Sequence, residues 1–386
     1  MNRDNSRTND LARVESALLA DDLQCAESLL RALRWAEPDY LPALQFDALL
    51  KLLRGDSAGG LRAFERQAAK HGAKGDAALW LAVARQYANR PFSTADFRSQ
   101  LVVERLRGSR YMDYPAEVHL ETFTKCNAAC SFCPYPTLDR LGTRMSDALI
   151  DKILGDLEAI PADLPFGIAP FKVNEPLLDV RLFDICAAIN RRLPNAHPRI
   201  FTNGAPLTDA MIDRLARIER LQHLWISLNE CDPVRYESVM GIPLARTLVA
   251  MERLHAAVED GRFPHPVIVS RVRDRTDEDR RFETFMATRF PRFGVVLMPY
   301  AAWAGQIESP EDTPPPPTGC SRWFELSIMS TGRVALCCMD GEGRHVIGDV
   351  AADNALAVYN APGYRRLREA SLDRLAAGAP CATCSL

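Results

Sequence analysis

The sequence TKCNAACSFCPYP, residues 124–136, places Cys126, Cys130 and Cys133 in a C-x3-C-x2-C spacing. It directly follows the β-rich run AEVHLET, so we expect these cysteines on the loop at the carboxyl end of a first strand. In β/α barrels the active site lies at that end of the strands. Three thiolates can bind three corners of a [4Fe-4S] cube and leave one iron open for chemistry. The alternative is a zinc site, which is disfavoured because no fourth ligand is close in sequence.

Six β-rich runs alternate with helical patterns between residues 116 and 300. This alternation is typical of βα units and a parallel sheet. Six units predict an α/β fold, a partial TIM-like (β/α)6 barrel, over residues 111–307. The runs are AEVHLET, FGIAPFKV, PRIFTN, HLWISLN, HPVIVSRV and FGVVLMPY.

Residues 1–110 form an all-helical region by pattern, with five amphipathic segments between residues 9 and 90. Leu29 and Leu30 recur as Ala63 and Phe64 at an offset of 34 residues, which is the period of a tetratricopeptide repeat. The rest of that motif matches poorly. A plain helical cap is therefore the preferred interpretation, and a helical array that binds a carrier or partner protein is the alternative.

A second group of cysteines follows the stretch ESPEDTPPPPTG at residues 308–319, whose prolines predict an extended linker. The C-terminal region, residues 320–386, opens with a C-x11-G-x4-C arrangement in which Gly332 suits the turn of a β-hairpin. Four cysteines in such a region fit a zinc ribbon or an iron-sulfur cluster. They are Cys320, Cys337, Cys381 and Cys384.

The composition excludes several classes of protein. A net charge of −3 over 386 residues gives no basic field for nucleic acid. No apolar run approaches the roughly 18 residues needed to span a bilayer, and the N-terminus shows no export signal, so we expect a cytoplasmic protein. Eleven cysteines in that compartment favour metal binding over disulfides. No zinc-binding histidine pair, nucleophile elbow or phosphate-binding loop is present.

Over roughly residues 115–386 the chain resembles the radical S-adenosylmethionine (SAM) superfamily. Its cysteine triplet, with Phe132 just before the last cysteine, matches the superfamily signature. In FKVNEPLL, Glu175 matches the residue that binds the SAM amino group, although Val173 and Asn174 stand where relatives carry two glycines. The resemblance implies that the triplet binds a [4Fe-4S] cluster and that SAM binds at the open iron.

Further matches to the superfamily follow the next strands. Asn203 lies in FTNGAPL after the third strand, and Ser227 and Asn229 lie in ISLNE after the fourth. The resemblance implies that these residues contact SAM, the latter two at its ribose or carboxylate. Arg271 on the fifth strand is a candidate partner for the SAM carboxylate, with an ordinary salt bridge as the alternative.

The C-terminal region resembles the SPASM and twitch extensions of radical SAM enzymes. The resemblance implies that Cys320, Cys337, Cys381 and Cys384 bind an auxiliary [4Fe-4S] cluster. Because the sequence stops two residues after Cys384, we expect one such cluster rather than two. Cys338 competes with Cys337 as the fourth ligand, and the G-x4-C spacing favours Cys337.

The resemblance implies reductive cleavage of SAM to a 5′-deoxyadenosyl radical that abstracts hydrogen from a substrate C–H bond. A cluster with four protein ligands lacks an open iron, which favours electron transfer and therefore an oxidoreductase. Natural-product dehydrogenation is preferred over peptide modification, and a flavodoxin- or ferredoxin-type protein would donate electrons. The alternatives are a redox-neutral epimerase in which Cys231, after the fourth strand, returns the hydrogen, and a non-catalytic zinc-binding scaffold.

Overall fold

The computed structural model describes residues 3–72, 75–308, 314–370 and 373–384. They fall into two units. The first contains the described residues of Met1–Ser109, Pro316–Ser321 and Ser371–Ala376, and the second contains those of Arg110–Pro315, Arg322–Ala370 and Ala377–Leu386. No helix in these described ranges is long and apolar enough to cross a membrane.

The first unit is helical, and its five predicted helices are confirmed. Their apolar faces meet around an aromatic core in which the Trp80 ring lies 5.5 Å from the rings of both Phe46 and Phe97 and 6.0 Å from that of Phe64. Burial of these large rings contributes to the unit's stability. The helices are α1 (Arg3–Leu19), α2 (Leu23–Ala36), α3 (Leu41–Leu53), α4 (Ser57–His71), α5 (Asp76–Tyr87) and α6 (Thr94–Arg107).

Helix α6 lies beyond the five predicted segments. Its start is fixed by a capping box: the Asp96 backbone N–H donates to Ser93 Oγ at 3.1 Å, and the Ser93 backbone N–H donates to Asp96 Oδ2 at 2.8 Å. These two bonds satisfy N–H groups that a helix terminus leaves unpaired. The buried side chain of Phe97 then anchors the helix in the aromatic core.

The proline-rich segment is described from Pro314 onward, and the rest of the predicted linker, residues 309–313, lies outside the described residues. Its described part contains neither helix nor strand. The Tyr87 hydroxyl donates to the Pro317 carbonyl at 3.1 Å, and the Gly319 N–H donates to Gln100 Oε1 at 2.9 Å. These contacts attach the end of the segment to helices α5 and α6.

The second unit contains the predicted barrel, whose six strands pair in parallel and in sequence order. Along β4, Leu224 and Ile226 are buried on one face, whereas His223, Trp225 and Ser227 are partly exposed on the other. This alternation follows from the two-residue period of a strand. The strands are β1 (Glu117–Leu120), β2 (Phe166–Ala169), β3 (Ala196–Thr202), β4 (His223–Ser227), β5 (Val267–Val272) and β6 (Gly294–Met298).

Helices connect these strands, as the right-handed βα crossover requires. Apolar side chains of the helices form two buried clusters with the strands. The helices are α7 (Asp147–Leu157), α8 (Leu182–Arg192), α9 (Asp209–Ala216), α10 (Pro233–Met240), α11 (Leu244–Glu259) and α12 (Asp277–Arg289).

The C-terminal extension continues the barrel sheet. Strand β7 (Glu325–Ile328) pairs in parallel with β1, and β8 (Arg333–Ala335) and β9 (Val346–Asp349) follow antiparallel. Gly332, at a φ of +91°, turns the chain between β7 and β8, which confirms the predicted hairpin. The resulting open sheet has the order β6-β5-β4-β3-β2-β1-β7-β8-β9. Short helices complete the extension: α13 (Ala355–Tyr359), α14 (Pro362–Glu369) and α15 (Arg374–Ala377).

Candidate active site

The three cysteines of residues 124–136 lie on the loop after β1, where the sequence places them. Two backbone hydrogen bonds hold this loop against the end of α10: the Ala129 N–H donates to the Met240 carbonyl at 3.0 Å and the Ser131 N–H to the Val239 carbonyl at 2.9 Å. The loop borders a cavity of about 150 Å³ that opens to solvent. Among the residues that line it are Cys126, Cys130, Phe132, Cys133, Glu175, Asn203 and Ser227.

Burial controls the acidity of these thiols. It raises the pKa of Cys126 to about 11 and that of Cys133 to about 12, and it also raises the pKa of Cys130. Thiolate is nevertheless the form that binds iron, so binding must displace three protons. Three half-buried thiols on one short loop, beside a cavity, fit a cluster that keeps one iron open to that cavity.

Glu175 lies on the loop after β2, with its carboxylate at the cavity. Its Oε1 accepts hydrogen bonds from Thr202 Oγ1 at 2.8 Å and the Leu177 N–H at 3.1 Å, and its Oε2 accepts one from the Asn203 N–H at 2.7 Å. Burial raises the pKa of Glu175 to about 7, and these three donors offset part of that rise. The carboxylate is thus oriented rigidly and retains acceptor capacity for an ammonium group.

The two residues that replace the expected glycines fit the structure without strain. Val173 and Asn174 are buried, and neither has a positive φ. Asn174 Oδ1 accepts the Lys172 N–H at 2.9 Å, and the Val173 N–H donates to Glu121 Oε1 at 3.3 Å. This loop is therefore held by side-chain contacts rather than by glycine flexibility.

Asn203 and Ser227 both line the cavity, as the sequence suggests. The Asn203 amide nitrogen donates to Asn127 Oδ1 at 2.9 Å and lies 3.9 Å from Cys126 Sγ. Asn203 thereby connects the loop after β3 to the cysteine loop.

Arg271 lies on β5, as the sequence predicts, and its side chain is buried among carboxylates. Its guanidinium is paired with Glu230 and Asp274, each at 2.7 Å, and with Asp279 at 2.8 Å. It also donates to the Asn229 carbonyl. These ion pairs correspond to the salt-bridge alternative, and a contact of Arg271 with the SAM carboxylate stays a prediction.

Asn229 and Cys231 are not among the described residues that line the cavity, although Asn229 contacts Met240, which does. Asn229 Oδ1 accepts the Val272 N–H at 2.8 Å, and its Nδ2 lies 3.1 Å from Met240 Sδ. Its role is to join the β4 and β5 ends, where its φ of +62° turns the chain. Cys231 is half-buried on the loop after β4, and burial raises the pKa of its thiol.

In the C-terminal region, Cys337 and Cys338 follow β8, whereas Cys381 begins a short turn of helix that ends before Cys384. Cys320 lies in the stretch that belongs to the helical unit. All of these cysteines except Cys338 are half-buried.

Cys338 is buried, and its thiol contacts other side chains. Arg322 Nη1 donates to its Sγ at 2.5 Å, and the ligand atoms of His119, Glu325 and Cys338 lie within 4.8 Å of one another. Burial alone would lower the pKa of His119, but the neighbouring Cys338 thiol and Glu325 carboxylate raise it to about 10. Cys338 is therefore part of a buried polar cluster with Arg322, His119 on β1 and Glu325 on β7.

A buried ion pair that sequence reasoning missed links the loops around the site. Glu121, directly after β1, accepts hydrogen bonds from Arg140 at 3.0 and 3.1 Å. It also accepts from Thr124 on the cysteine loop at 3.1 Å, from the Val173 N–H at 3.3 Å and from the Ser330 N–H of the β7–β8 turn at 3.2 Å. The only sequence signal is an acidic residue at the end of an apolar strand, which is common without such a role.

The family models identify the class of protein that this site and fold define. Residues 120–279 match the radical SAM superfamily, and residues 320–385 match SPASM, an iron-sulfur cluster-binding domain. The chain therefore contains a radical SAM domain and a C-terminal SPASM domain. Its cofactors are a [4Fe-4S] cluster, SAM and auxiliary iron-sulfur. No curated protein shows a significant sequence match to the chain.

Solved structures are similar to this chain at low sequence identity, and the one with a TM-score above 0.5 supports the fold. SuiB of Streptococcus suis bound to its precursor peptide SuiA is 14% identical, with 81% of this chain and 77% of SuiB covered and a TM-score of 0.52. BtrN in complex with AdoMet and 2-DOIA is 15% identical, with 70% and 93% covered and a TM-score of 0.49. Native anSMEcpe with bound AdoMet is 13% identical, with 67% and 82% covered and a TM-score of 0.48.

Proposed function

We propose that this chain is a radical SAM oxidoreductase that removes two electrons from a substrate C–H carbon. The observation that carries the proposal is the single cavity that gathers Cys126, Cys130 and Cys133 with the Glu175 carboxylate. When bound there, the cluster and SAM supply a 5′-deoxyadenosyl radical that abstracts hydrogen. The protein residues hold and orient SAM and exclude water from the reacting atoms.

Glu175 is proposed to bind the SAM amino group. Its carboxylate is fixed by three donors and faces the cavity, so an incoming ammonium meets a preoriented partner. Asn203 and Ser227, on the neighbouring strand ends, are proposed to contact SAM as well, because they line the same cavity.

The auxiliary cluster is proposed to bind Cys320, Cys337, Cys381 and Cys384. The SPASM match over residues 320–385 includes all four. The choice of Cys337 over Cys338 is supported by the contacts of Cys338, whose thiol is held by Arg322 next to His119 and Glu325. Four thiolates leave no open iron, so this cluster would accept the electron that the substrate radical gives up as it loses a proton.

A small molecule is the preferred substrate. Aromatic side chains of Tyr135, Phe171, Phe201 and Trp303 line the cavity, and the Trp303 indole is fixed by donation to the Phe132 carbonyl at 2.8 Å. The first unit is helical in its described elements, which fits a plain helical cap, and binding of a carrier or partner protein is the alternative. BtrN binds 2-DOIA and SuiB binds a precursor peptide, so the shared fold alone does not choose between a small molecule and a peptide.

The number and type of clusters test the proposal without a known substrate. After anaerobic reconstitution we expect about eight irons per chain and two reduced-cluster signals by electron paramagnetic resonance (EPR). Added SAM should change only the signal that depends on Cys126, Cys130 and Cys133. About four irons, or zinc in place of iron, would contradict the auxiliary cluster.

Variants of the paired cysteines give a matched control. Cys337→Ser should remove the SAM-insensitive signal, whereas Cys338→Ser should retain it. Both changes replace sulfur by oxygen at adjacent positions, and circular dichroism of both variants checks that the fold is retained, because Cys338 also contacts Arg322. Loss of the signal in Cys338→Ser alone would reverse the assignment.

The reaction type is tested once a substrate stimulates 5′-deoxyadenosine formation. Oxidation gives a product lighter by two hydrogen atoms, with no solvent deuterium at the carbon. An epimerase would give an isomer of equal mass, carrying deuterium from D2O, and that activity would depend on Cys231. The placement of Cys231 away from the described cavity lining favours the first outcome.

A further inference from the structure

Lys172 is a fully buried lysine on the loop that ends at Glu175. Lys172 is only 1% exposed, although it lies in the loop just after β2. Its Nζ donates to the carbonyl oxygens of Asp340 at 2.7 Å, Cys338 at 3.2 Å and Cys337 at 3.5 Å. One side chain thus reaches from the SAM-site loop to the backbone of a proposed cluster ligand.

The number of acceptors matches a protonated amine. An ammonium group has three protons and no lone pair, and three carbonyl oxygens surround this one. Burial lowers the pKa of Lys172, and the Glu121 carboxylate opposes that effect. The cost of burying the charge is offset by these acceptors and this carboxylate.

Both ends of the contact are rigid. On the SAM side, the Lys172 N–H donates to Asn174 Oδ1 at 2.9 Å. On the cluster side, Asp340 closes its own turn, since its carboxylate accepts the N–H groups of Arg344 at 2.9 Å and His345 at 2.8 Å. The ammonium group therefore lies between two loops that hydrogen bonds hold in place.

We propose that Lys172 is a positioning residue that holds the turn at residues 337–340 and makes the auxiliary cluster easier to reduce. The inference rests on the proposed function, because it needs a cluster at Cys337. Reduction adds negative charge to a cluster, and a fixed cation in a low-dielectric surrounding stabilises that charge. Lys172 would in this way favour the electron transfer from substrate that the oxidation requires.

Three variants separate charge from shape. Lys172→Met removes the charge and all donors at similar length, and Lys172→Gln removes the charge but keeps a donor. Lys152→Met is the matched control, because Lys152 is a partly exposed lysine of the same unit that pairs with Asp156 on α7. The measurement is an anaerobic redox titration of the SAM-insensitive EPR signal, with iron content determined on the same samples.

We expect the potential of that signal to shift downward in Lys172→Met and Lys172→Gln and to stay at the wild-type value in Lys152→Met. If both Lys172 variants fold and bind only the SAM cluster while Lys152→Met binds both, the positioning role is supported. Two clusters at the wild-type potential in the Lys172 variants would overturn the inference. A wild-type protein with one cluster would instead refute the proposed function, so the two failures are distinguishable.

Discussion

The two groups of cysteines are assembled in different ways. Cys126, Cys130 and Cys133 lie on one loop, and the backbone of that loop brings them to the cavity. The four C-terminal candidates are spread from residue 320 to residue 384 over separate elements. A local group depends on one loop, whereas a dispersed group depends on tertiary contacts such as those of Arg322 and Lys172. The first should therefore survive damage to the second.

The largest expected effect separates the two groups directly. The double variant Cys381→Ala/Cys384→Ala should lose about half of the iron, from about eight to about four per chain, because two of four ligands are gone. It should still cleave SAM when reduced, since the triplet does not depend on those residues. Cys25→Ala is the control, because Cys25 is exposed on α2 and should leave the iron content unchanged.

Loss of SAM cleavage in the double variant, with folding unchanged by circular dichroism, would contradict the independence of the triplet from the C-terminal cysteines. It would mean that the triplet site requires the auxiliary cluster for assembly or for its own reduction.

A second test removes the buried ion pair between Arg140 and Glu121, which contacts both the cysteine loop and the C-terminal extension. Arg140→Met should lower the free energy of unfolding by about 3 to 5 kcal/mol, because it leaves the buried Glu121 carboxylate without its cation. Glu121 also binds the cysteine loop and the β7–β8 turn, so both clusters should become easier to lose. Urea unfolding and iron content measure the two effects.

Arg110→Met is the control for that change. Arg110 pairs with Asp163 at 2.9 Å, but both side chains are exposed, and such pairs contribute little in water. Equal unfolding curves for Arg140→Met and the wild type would show that the buried pair does not hold the loops.

A smaller effect is expected within the triplet site alone. Glu175→Gln should weaken SAM binding by about 2 kcal/mol, roughly 30-fold in Kd, because a charged acceptor of the amino group becomes neutral. The pKa of Glu175 is raised to about 7 by burial, so wild-type affinity should fall as the pH decreases from 8 to 6 and the carboxylate takes up a proton. Isothermal titration calorimetry at several pH values measures both effects.

The Gln variant supplies the control for the pH effect, since it cannot ionise and its affinity should stay flat over that range. A wild-type Kd that is independent of pH, or a variant that follows the wild-type curve, would remove Glu175 from the amino-group role.

Much of the fold was predictable because local patterns encode it. Five of the six barrel strands fall within their predicted runs, and β3 begins two residues before its run, since each run contrasts with flanking helical periodicity. The parallel pairing of β7 with β1 was not predicted, because no local pattern specifies which edge of a sheet a later strand joins. Helix α6 was missed although Ser93 and Asp96 form a capping box, a signal of one turn that is easily overlooked.

The site was predictable where a short motif fixes it and not elsewhere. The triplet and Glu175 lie at the cavity because their loops follow predicted strands. The three carboxylates that surround Arg271 were not predictable, because they come from separate positions in the sequence. Lys172 was missed because its three acceptors are backbone carbonyls, which carry no sequence signal.

The most direct test of the central claim is SAM cleavage by the anaerobically reconstituted protein with dithionite. The wild type should form 5′-deoxyadenosine, and the variant with Cys126, Cys130 and Cys133 all replaced by Ala should form none while retaining its auxiliary iron. Absence of 5′-deoxyadenosine from fully loaded wild-type protein, or equal formation by the triple variant, would contradict the assignment of these cysteines to a radical SAM site.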